Sequence, residues 1–569
     1  MTDGYCWRRR ALLRGLAALP LAAVAGPLAG GSAAGSGLAA GSAHANPALS
    51  NVAALAPARA PAASYRLDAL IDLDRATVAV VQAVQVRNVV GRPLDLLVFR
   101  VVANALGAQT LTAVTVDGLP VAPRLEGSVL ELPLPQPLLP GAAAQVDVQF
   151  TLTVPPGDGR LSVTPRAMAL GYWFPLLAVH RGDWDRRQLV DVGDATFSEV
   201  ADFDVTLTTN APAQVLATGE RVEQAGFRWR YVATAVRDVA VKISPQFVVR
   251  RATVSGTVLE VAAFSEERAA FYLTRGSVFL RWATEQFGPY PYPALVVTDA
   301  DLPATFGGLE YPGLILLSRA YPAGPSPDGS SLDSLYLHEI LHQWFFALVG
   351  NDQIADPWLD EAFVTYLTYR YYRDVQPGFA AAVYSRTIAG GGSAPVDSSV
   401  YDFPSDPVYF GTVYGRGARF LDALYGHLGA TAFWALLRKH VTMYRDRVAS
   451  PRAFLDRAQE YALAGGQPSL SPLIAEYFSY GAFRTATPRL WTLEAPTGVW
   501  SGSAALFVAA EFPVTRVQVW LDARMLADGP ANALTLDLSG VEAGSYVLLV
   551  RVWDHDDVLF ERARRVEVG

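Results

Sequence analysis

Residues 338–344 of this 569-residue chain read HEILHQW, and this stretch decides the fold of the region around it. Its pattern is H-E-x-x-H, within an apolar segment that we predict to be a helix from about Asp333 to Gly350. Residues four apart share one helix face, so His338 and His342 present both imidazoles to one ion, with Glu339 beside them. Burying these groups is costly without a partner such as zinc. The alternative is an amphipathic helix that carries two histidines and no metal.

A third metal ligand follows at a suitable spacing. Asp356 and Pro357 predict the N-cap and the first position of a second helix. Glu361 lies in the first turn of that helix, with eighteen residues between it and His342. This length brings Glu361 back to the two histidines. Two histidines and one glutamate leave a coordination position open, as in catalytic rather than structural zinc sites.

The H-E-x-x-H motif and the later glutamate together resemble the gluzincin zinc metallopeptidases of the aminopeptidase N family. Other segments resemble motifs of that family in the same order: FGPYPYP at 287–293, GGLEY at 307–311, WLDEAF at 358–363 and VYGRGA at 413–418. The resemblance covers about residues 265–480 and extends more loosely to the β region before them. It implies a thermolysin-like catalytic domain with zinc aminopeptidase activity.

The resemblance also implies catalytic roles for individual residues. His338, His342 and Glu361 hold one Zn²⁺ per chain, and the zinc activates a water molecule. Glu339 is the general base for that water. Tyr414 donates its hydroxyl to the oxyanion of the transition state, or else is one of the core tyrosines.

On the substrate side, Glu310 is expected to pair with the free α-ammonium group of a peptide, which makes the protein an exopeptidase. The alternative is a surface glutamate on a strand. Gly307 and Gly308 let the substrate backbone approach closely, which fits binding along an edge strand. Tyr409 and Asp406 are candidates for the wall of the same pocket, with core packing or surface exposure as the alternatives.

Two departures from the family motifs bear on substrate specificity. Leu309 and Tyr311 flank the motif glutamate where the family carries Met and Asn. The first domain of the family often supplies a Gln or Glu to the substrate amine, and near residues 173–175 (WFP) the sequence has no clear counterpart. A zinc endopeptidase or another amide hydrolase is therefore an alternative function. A secreted binding protein without catalysis is another.

The whole chain is predicted to be a multidomain α+β protein. Strand-like alternation before about residue 252 and after about residue 484 encloses a region of mostly helical pattern, whose first helix runs from the cap Ser265 to Phe287. The predicted segments are a twin-arginine-like signal peptide (1–45), a linker (46–63), an N-terminal β domain (64–252), a thermolysin-like catalytic domain (253–395), a helical extension carrying the catalytic tyrosine (396–483) and a C-terminal β-sandwich-like domain (484–569).

The first 45 residues have the pattern of an export signal. Three arginines at 8–10 precede an apolar stretch, and residues 43–45 read A-H-A, a typical cleavage pattern. We expect cleavage after Ala45, loss of the only cysteine, Cys6, and export to the periplasm or the extracellular space. The alternative is an uncleaved membrane anchor.

Composition limits the partners of the chain. The net charge of −8 provides no basic surface for nucleic acid. No segment of the mature chain is long and apolar enough to span a bilayer. Peptides with a free N-terminus are the expected substrates, and the partner of the C-terminal domain is unknown. Residues 554–557 (DHDD) suggest calcium or, more simply, a polar hairpin turn.

Overall fold

The computed structural model describes residues 62–90, 92–181, 183–190, 192–194, 197–303, 306–323, 331–479, 491–496, 498–510, 514–522, 524–529, 533–554 and 559–569. These residues form a multidomain α+β structure with a β region first and a helical region after it. The predicted signal peptide and nearly all of the predicted linker lie outside the described residues. So do His555, Asp556 and Asp557 of the predicted turn.

The first region consists almost entirely of strands. In chain order its elements are β1 Ala63–Asp72, β2 Thr77–Arg87, β3 Leu94–Arg100, α1 Val102–Ala105, β4 Gln109–Val116, β5 Leu119–Pro120, β6 Arg124–Glu126, β7 Val129–Leu138, β8 Ala143–Thr153, β9 Leu161–Val163, β10 Met168–Leu170, β11 Leu176–Leu177, β12 His180–Arg181, β13 Asp183–Trp184, β14 Ala201–Thr209, β15 Gln214–Ala217, β16 Glu220–Ala225, β17 Arg228–Val236 and β18 Val241–Ser244.

The largest sheet of this region has eight strands in the order β16-β17-β14-β1-β2-β8-β4-β5. Its strands alternate buried and exposed side chains, as expected of a sheet with one face on a core. On β1, for example, Leu67 is fully buried whereas Leu70 is 63% exposed. Two four-stranded sheets, β15-β18-β10-β9 and β11-β3-β7-β6, complete most of the region.

A five-stranded mixed sheet carries the central region. Its elements are β19 Val248–Val254, β20 Thr257–Ala263, α2 Glu266–Phe287, β21 Ala294–Ala300, β22 Gly308–Tyr311 and β23 Leu314–Ser318. The order is β19-β20-β21-β23-β22, with β20, β21 and β23 parallel and almost entirely buried. Such apolar runs are typical of parallel strands covered on both faces. Because β22 lies at the edge and pairs only with β23, its other side is available to a ligand.

The first helix of this region confirms its prediction. Ser265 accepts a hydrogen bond from the amide of Arg268, and α2 ends at Phe287 before Gly288. The predicted domain boundary at residue 252 falls inside β19, which pairs with β20 over its whole length. That strand therefore belongs to the mixed sheet rather than to the first β region.

The helical region follows. Its elements are α3 Ser331–Leu341, β24 Val349–Gly350, α4 Trp358–Val375, α5 Pro377–Thr387, a 3₁₀ turn Val400–Asp402, α6 Asp406–Phe410, a π-helical segment Gly411–Arg416, α7 Gly417–Leu428, α8 Ala430–Met443, β25 Arg447–Val448, α9 Pro451–Ala464 and α10 Ser471–Tyr477. Asp333 holds the start of α3 in place, because it accepts hydrogen bonds from Arg275 of α2 and Tyr372 of α4.

Two predicted helix boundaries are wrong. The helix with the H-E-x-x-H motif ends at Leu341 and not near Gly350. The amides of Gln343 and Trp344 bond to carbonyls three residues back, and the chain then turns through Phe346, whose φ is 126°. At the start of α4, Pro357 takes the cap position and no side chain accepts a capping hydrogen bond, so Asp356 is not the N-cap.

The last region again consists of strands. They are β26 Trp491–Glu494, β27 Val499–Trp500, β28 Ser503–Ala510, β29 Val514–Leu521, β30 Arg524–Gly529, β31 Ala533–Asp537, β32 Gly544–Asp554 and β33 Leu559–Val568. They form two sheets, β26-β28-β31 and β27-β33-β32-β29-β30, with buried side chains on both, such as Leu506 and Val519. The β-sandwich arrangement itself stays a prediction. Across the described ranges, no helix combines the length and the apolar character needed to cross a bilayer.

One buried guanidinium connects the first β region to the helical region. Arg237, between β17 and β18, is 2% exposed and donates to three carbonyl oxygens. These belong to Phe346 (2.8 Å), Ser198 (2.8 Å) and Arg447 (2.6 Å). A Cβ at Gly350 would lie 2.2 Å from the guanidinium carbon, so only glycine fits there. The turn that follows α3 is therefore fixed by a side chain from another region.

We expect Arg237→Met to lower the free energy of unfolding by about 3 kcal/mol or more, because buried carbonyls that lose their partners cost about 1–3 kcal/mol each. Equilibrium denaturation in guanidinium chloride measures the change. The matched control is Arg281→Met, at an exposed position of α2, which should alter stability by less than about 0.5 kcal/mol. Equal stability of the two variants would contradict the structural role of Arg237.

Candidate metal centre and active site

The structure brings together the three predicted metal ligands. Nε2 of His338 and Nε2 of His342 lie 3.1 and 3.3 Å from Oε2 of Glu361, and 3.3 Å from each other. His338 lies within α3, His342 follows its last residue, and Glu361 lies in the first turn of α4. The amide of His342 still bonds to the carbonyl of His338, so both imidazoles project from the same helical turn.

The dimensions of this triangle fit zinc. Ligand atoms at about 2.0–2.1 Å from a tetrahedral zinc ion lie about 3.3–3.4 Å from one another. The observed separations of 3.1–3.3 Å agree with that geometry. The donor set of two imidazoles and one carboxylate is also that of catalytic zinc sites, which keep a fourth position for water or substrate.

Hydrogen bonds to groups around the site fix two of the metal ligands, His342 and Glu361. Nδ1 of His342 donates to the carbonyl oxygen of Phe345 at 3.1 Å, which leaves the lone pair of Nε2 for a metal. The early end of α3 allows this bond, because the chain turns and brings the carbonyl of Phe345 back. The carboxylate of Asp360 accepts from the side chain of Gln353 and from the amide of Glu361, which fixes the start of α4.

Glu339 stands beside the triangle with an unpaired oxygen. The side chain is buried, and its Oε2 has no hydrogen-bond partner among the described residues. Burial, together with the charge of Glu310, raises the pKa of Glu339 well above its ordinary value. A Cβ at Gly308 would lie 2.5 Å from the carboxyl carbon of Glu339, so a side chain there would displace that carboxyl group. The carboxylate is therefore placed to take a proton from a group in the cavity.

Tyr414 lies in the π-helical segment between α6 and α7. Its hydroxyl donates to Oε1 of Glu361 at 2.5 Å, and its ring is parallel to that of His338. Burial and the charge of Glu361 raise the pKa of Tyr414 well above its usual value, so the hydroxyl keeps its proton. The segment that carries Tyr414 is therefore a π-helix, a form often found at functional sites. The loop at 390–392 packs against this segment, since Gly391 leaves no room for a Cβ at Gly415.

Three carboxylates meet at the other side of the triangle. Oxygens of Asp194, Glu310 and Glu361 all lie within 4.8 Å of one another. Asp194 comes from the first β region and forms an ion pair with Arg160, which is itself close to Tyr172. Glu310 lies on the edge strand β22 and is 6% exposed. A concentration of negative charge beside the metal centre favours a cation, such as an ammonium group.

Gln343 holds the edge strand against the end of α3. Its side chain accepts from the amide of Gly313 at 2.8 Å and donates to the carbonyl of Tyr311 at 3.2 Å. Tyr311, which departs from the family motif, points away from the triangle and packs against Tyr172, with its hydroxyl close to Gly171. The substitution therefore fills the interface with the first β region rather than the metal centre.

These residues surround a cavity of about 460 Å³. Its wall includes all of the predicted site residues except Tyr409 and Asp406; the others are His338, His342, Glu361, Glu339, Tyr414, Glu310, Gly307 and Gly308. Tyr409 is 1% exposed and packs behind the wall against Phe403, Phe410 and Tyr414. Asp406, in the first turn of α6, is also absent from the described lining residues.

Two charged residues of the described lining, Asp194 and Arg386, were not predicted from the sequence. Asp194 precedes the eight-stranded sheet's β14, far from any recognised motif, and Arg386 lies in the last turn of α5. The sequence offers no periodicity or spacing that links either residue to the metal motif. The residue before Asp194 is Gly193, which has a positive φ and packs against the hydroxyl of Tyr409. This backbone conformation is visible only in the structure.

Comparisons with known proteins agree with this geometry. Residues 271–471, which contain every predicted site residue, match the Peptidase family M1 domain. Aminopeptidase B of Rattus norvegicus is 34% identical over 92 residues, which are 16% of this chain and 14% of that protein. Aminopeptidase N of Lactobacillus delbrueckii subsp. lactis is 30% identical over 178 residues, 28% of this chain and 20% of that protein. The chain thus matches only 14–20% of the length of these curated relatives.

Solved structures share the fold. The M1 zinc metallopeptidase from Deinococcus radiodurans is 21% identical and superposes with a TM-score of 0.54, covering 74% of this chain and 95% of that chain. A mutant of the same metallopeptidase, bound to a Tyr-Ser-Ala substrate, gives a TM-score of 0.55 and covers 76% of this chain and 98% of that chain.

We expect the purified chain to retain about one zinc per molecule after dialysis, measured by mass spectrometry of the metal. His342→Ala and Glu361→Ala should lose most of it, because each removes a ligand from a three-ligand site. Glu339→Gln should keep it, since Glu339 is outside the triangle. His427→Ala is the matched control, because His427 bonds to the carbonyl of Pro468 and does not line the cavity. Full zinc in His342→Ala would contradict the assignment.

Proposed function

We propose that this chain, whose residues 271–471 form a Peptidase family M1 domain, is a zinc aminopeptidase that removes N-terminal residues from peptides. The observation that carries the proposal is the position of the metal triangle between two kinds of group. On one side lies Glu339, whose Oε2 has no hydrogen-bond partner in the part of the chain that the structure describes, and on the other lie the carboxylates of Glu310 and Asp194. The first can serve hydrolysis, and the second can bind a free amine.

His338, His342 and Glu361 would hold the metal. Zinc bound there would polarise the scissile carbonyl and lower the pKa of a water molecule to about 7. The support for this assignment is the triangle of ligand atoms and the bond from His342 to Phe345, which leaves the required nitrogen free.

Glu339 is the general base. Its unpaired Oε2 takes a proton from the attacking water while the water oxygen bonds to the scissile carbon. The carboxyl group then delivers that proton to the leaving nitrogen as the C–N bond breaks. Gly308 permits this geometry, because any side chain there would displace Glu339.

Tyr414 stabilises the charge that develops on the carbonyl oxygen. Its protonated hydroxyl is held beside the metal ligands by the contact with Glu361. A small rotation redirects the hydroxyl from that carboxylate to the substrate oxygen. A single donor of this kind contributes about 3–4 kcal/mol to the stability of the transition state.

Glu310 and Asp194 bind the substrate ammonium. Arg160 balances the charge of one of these carboxylates, and a substrate ammonium would balance the other. A peptide whose amine is blocked leaves both carboxylates without that partner, so a free N-terminus is required. Asp194 thereby takes the place of the amine ligand for which the sequence shows no motif in the first β region.

We also propose that the protein is exported, with removal of residues 1–45. The support is the arginine cluster at 8–10, the apolar stretch after it and the cleavage pattern at residues 43–45. These residues lie outside the part of the chain that the structure describes.

The function is tested with a panel of aminoacyl reporter amides, each with a free and with an N-acetylated amine. We expect cleavage of the free-amine forms only, because the acetylated forms cannot pair with Glu310. Glu339→Gln should lower kcat/KM by about 10²–10⁴-fold, the usual contribution of a general base. The matched control Glu285→Gln changes an exposed glutamate of α2 and should have no effect.

Two other outcomes of this panel would support the two alternative functions. Equal cleavage of the acetylated forms would support an endopeptidase or another amide hydrolase. No cleavage by a zinc-loaded protein would support a binding protein.

The role of Asp194 is tested with Asp194→Asn. We expect KM for free-amine substrates to rise roughly tenfold, the loss typical of one charge-assisted hydrogen bond, while zinc content is unchanged. Asp158→Asn, at an exposed position of the same β region, is the control. An unchanged KM would assign amine binding to Glu310 alone.

A further inference from the structure

We propose that Thr365 and Thr368 form a hydrogen-bonding subsite for the side chain directly after the scissile bond, so that the protein prefers peptides whose second residue carries a hydroxyl or an amide group. This inference rests on the proposed aminopeptidase function, because amine binding at Glu310 fixes the direction in which the substrate lies. Both threonines line the cavity, and each is 3% exposed. Within the described ranges, neither hydroxyl has a hydrogen-bond partner.

One face of α4 carries both threonines together with a metal ligand. Thr365 follows Glu361 by four residues and Thr368 follows it by seven, and this spacing places all three on one side of the helix. With a rise of about 1.5 Å per residue, the threonines lie about 6 and 10 Å beyond Glu361 along the helix axis. The helix face that presents the metal ligand therefore continues along the cavity wall as two threonines.

The two hydroxyls are available to a ligand. A hydroxyl within a helix can bond to a carbonyl of the preceding turn, and Thr387 and Thr442 each donate, at 2.8 Å, to the carbonyl four residues back. The structure records no such bond for Thr365 or Thr368 in the residues it describes. Rotation about the Cα–Cβ bond exchanges the hydroxyl with the methyl group, so each hydroxyl can face the cavity.

The antiparallel packing of α3 and α4 places the threonines on the leaving-group side of the metal. His338 meets Glu361 at the metal triangle, and Asp333, near the start of α3, accepts a hydrogen bond from Tyr372, near the end of α4. Both threonines lie between these two contacts on α4, as Leu335 does on α3. They therefore face the section of the cavity that Leu335 also lines.

The edge strand β22 directs a substrate into this section. Gly308 lies against the carboxyl group of Glu339, and Gly307 lies against the side chain of Leu335, one helical turn earlier. A substrate held by its amine at Glu310 therefore extends past Glu339 and towards Leu335. Because an extended peptide advances by about 3.3–3.4 Å per residue, the side chain after the scissile bond lies beside the two threonines.

Two buried hydroxyls select for a neutral polar side chain. Each can donate one hydrogen bond and accept others, which suits the amide of asparagine or glutamine and the hydroxyl of serine or threonine. An apolar side chain of the same size would cover both hydroxyls and leave them without hydrogen bonds, which is unfavourable in a buried site. The subsite thus distinguishes peptides by the polarity of their second residue.

The test uses tripeptides that differ only in the second residue, in two pairs of similar size: asparagine against leucine and threonine against valine. Their first residue is that of the reporter amide that is cleaved fastest. The measured quantity is the ratio of kcat/KM for the polar peptide to kcat/KM for the apolar one, taken within each protein variant so that a general loss of activity cancels. For the unmodified protein we expect a ratio of roughly ten to one hundred, the discrimination expected when one buried hydrogen bond is lost.

Replacement by valine keeps the branched shape of threonine and removes the hydroxyl. Thr365→Val and Thr368→Val should each lower the ratio in part, and the double variant should lower it to one or below. The matched control is Thr442→Val, because Thr442 is exposed on α8 and is absent from the described lining residues. This variant should keep the full ratio.

A ratio near one in the unmodified protein, with both peptides of each pair cleaved, would overturn this inference and leave the aminopeptidase function intact. A ratio that persists in the double variant would also overturn it. If the zinc-loaded protein cleaves no reporter amide and no tripeptide, the proposed function fails and this inference fails with it.

Discussion

The buried carboxylate of Glu361 between two imidazoles is the constraint on which the rest of the structure depends. Glu361 and His342 are buried and His338 is 15% exposed, and the three polar groups lie 3.1–3.3 Å from one another, so a bound cation or a proton must balance the carboxylate. Much of the surrounding structure holds them in place. Asp333 connects α2, α3 and α4, Asp360 fixes the start of α4, and Arg237 fixes the turn after α3. These supports hold the three ligand side chains at the separations that a metal ion requires.

Close approach of backbone explains why glycine recurs around the cavity. Gly308 brings the edge strand against Glu339, and Gly415 brings the π-helical segment against the loop at Gly391. Gly350 makes room for the guanidinium of Arg237. In each case a single methyl group would meet another atom at less than 3 Å. Gly308 therefore lets the edge strand approach a catalytic side chain, whereas the other two glycines let the supporting segments pack closely.

Local patterns predicted the centre of the site but not its edges. The spacing of His338 and His342 specifies one face of a helix, and the cap at Ser265 specifies the start of α2. These features depend on residues within one or two turns. The early end of α3 was not predicted, because it depends on the bond from His342 to Phe345 and on Arg237, 109 residues before Phe346. Asp194 and Arg386 were missed for the same reason, since tertiary packing alone brings them to the cavity.

The proposed chemistry depends most on where a metal binds, because the described residues contain two groups of three possible ligands that share Glu361. The direct measurement is anomalous diffraction from crystals of the purified protein on both sides of the zinc absorption edge. We expect one peak, about 2 Å from the ligand atoms of His338, His342 and Glu361. A peak among Asp194, Glu310 and Glu361 instead, or no zinc peak in an active protein, would contradict the assignment of metal and amine sites.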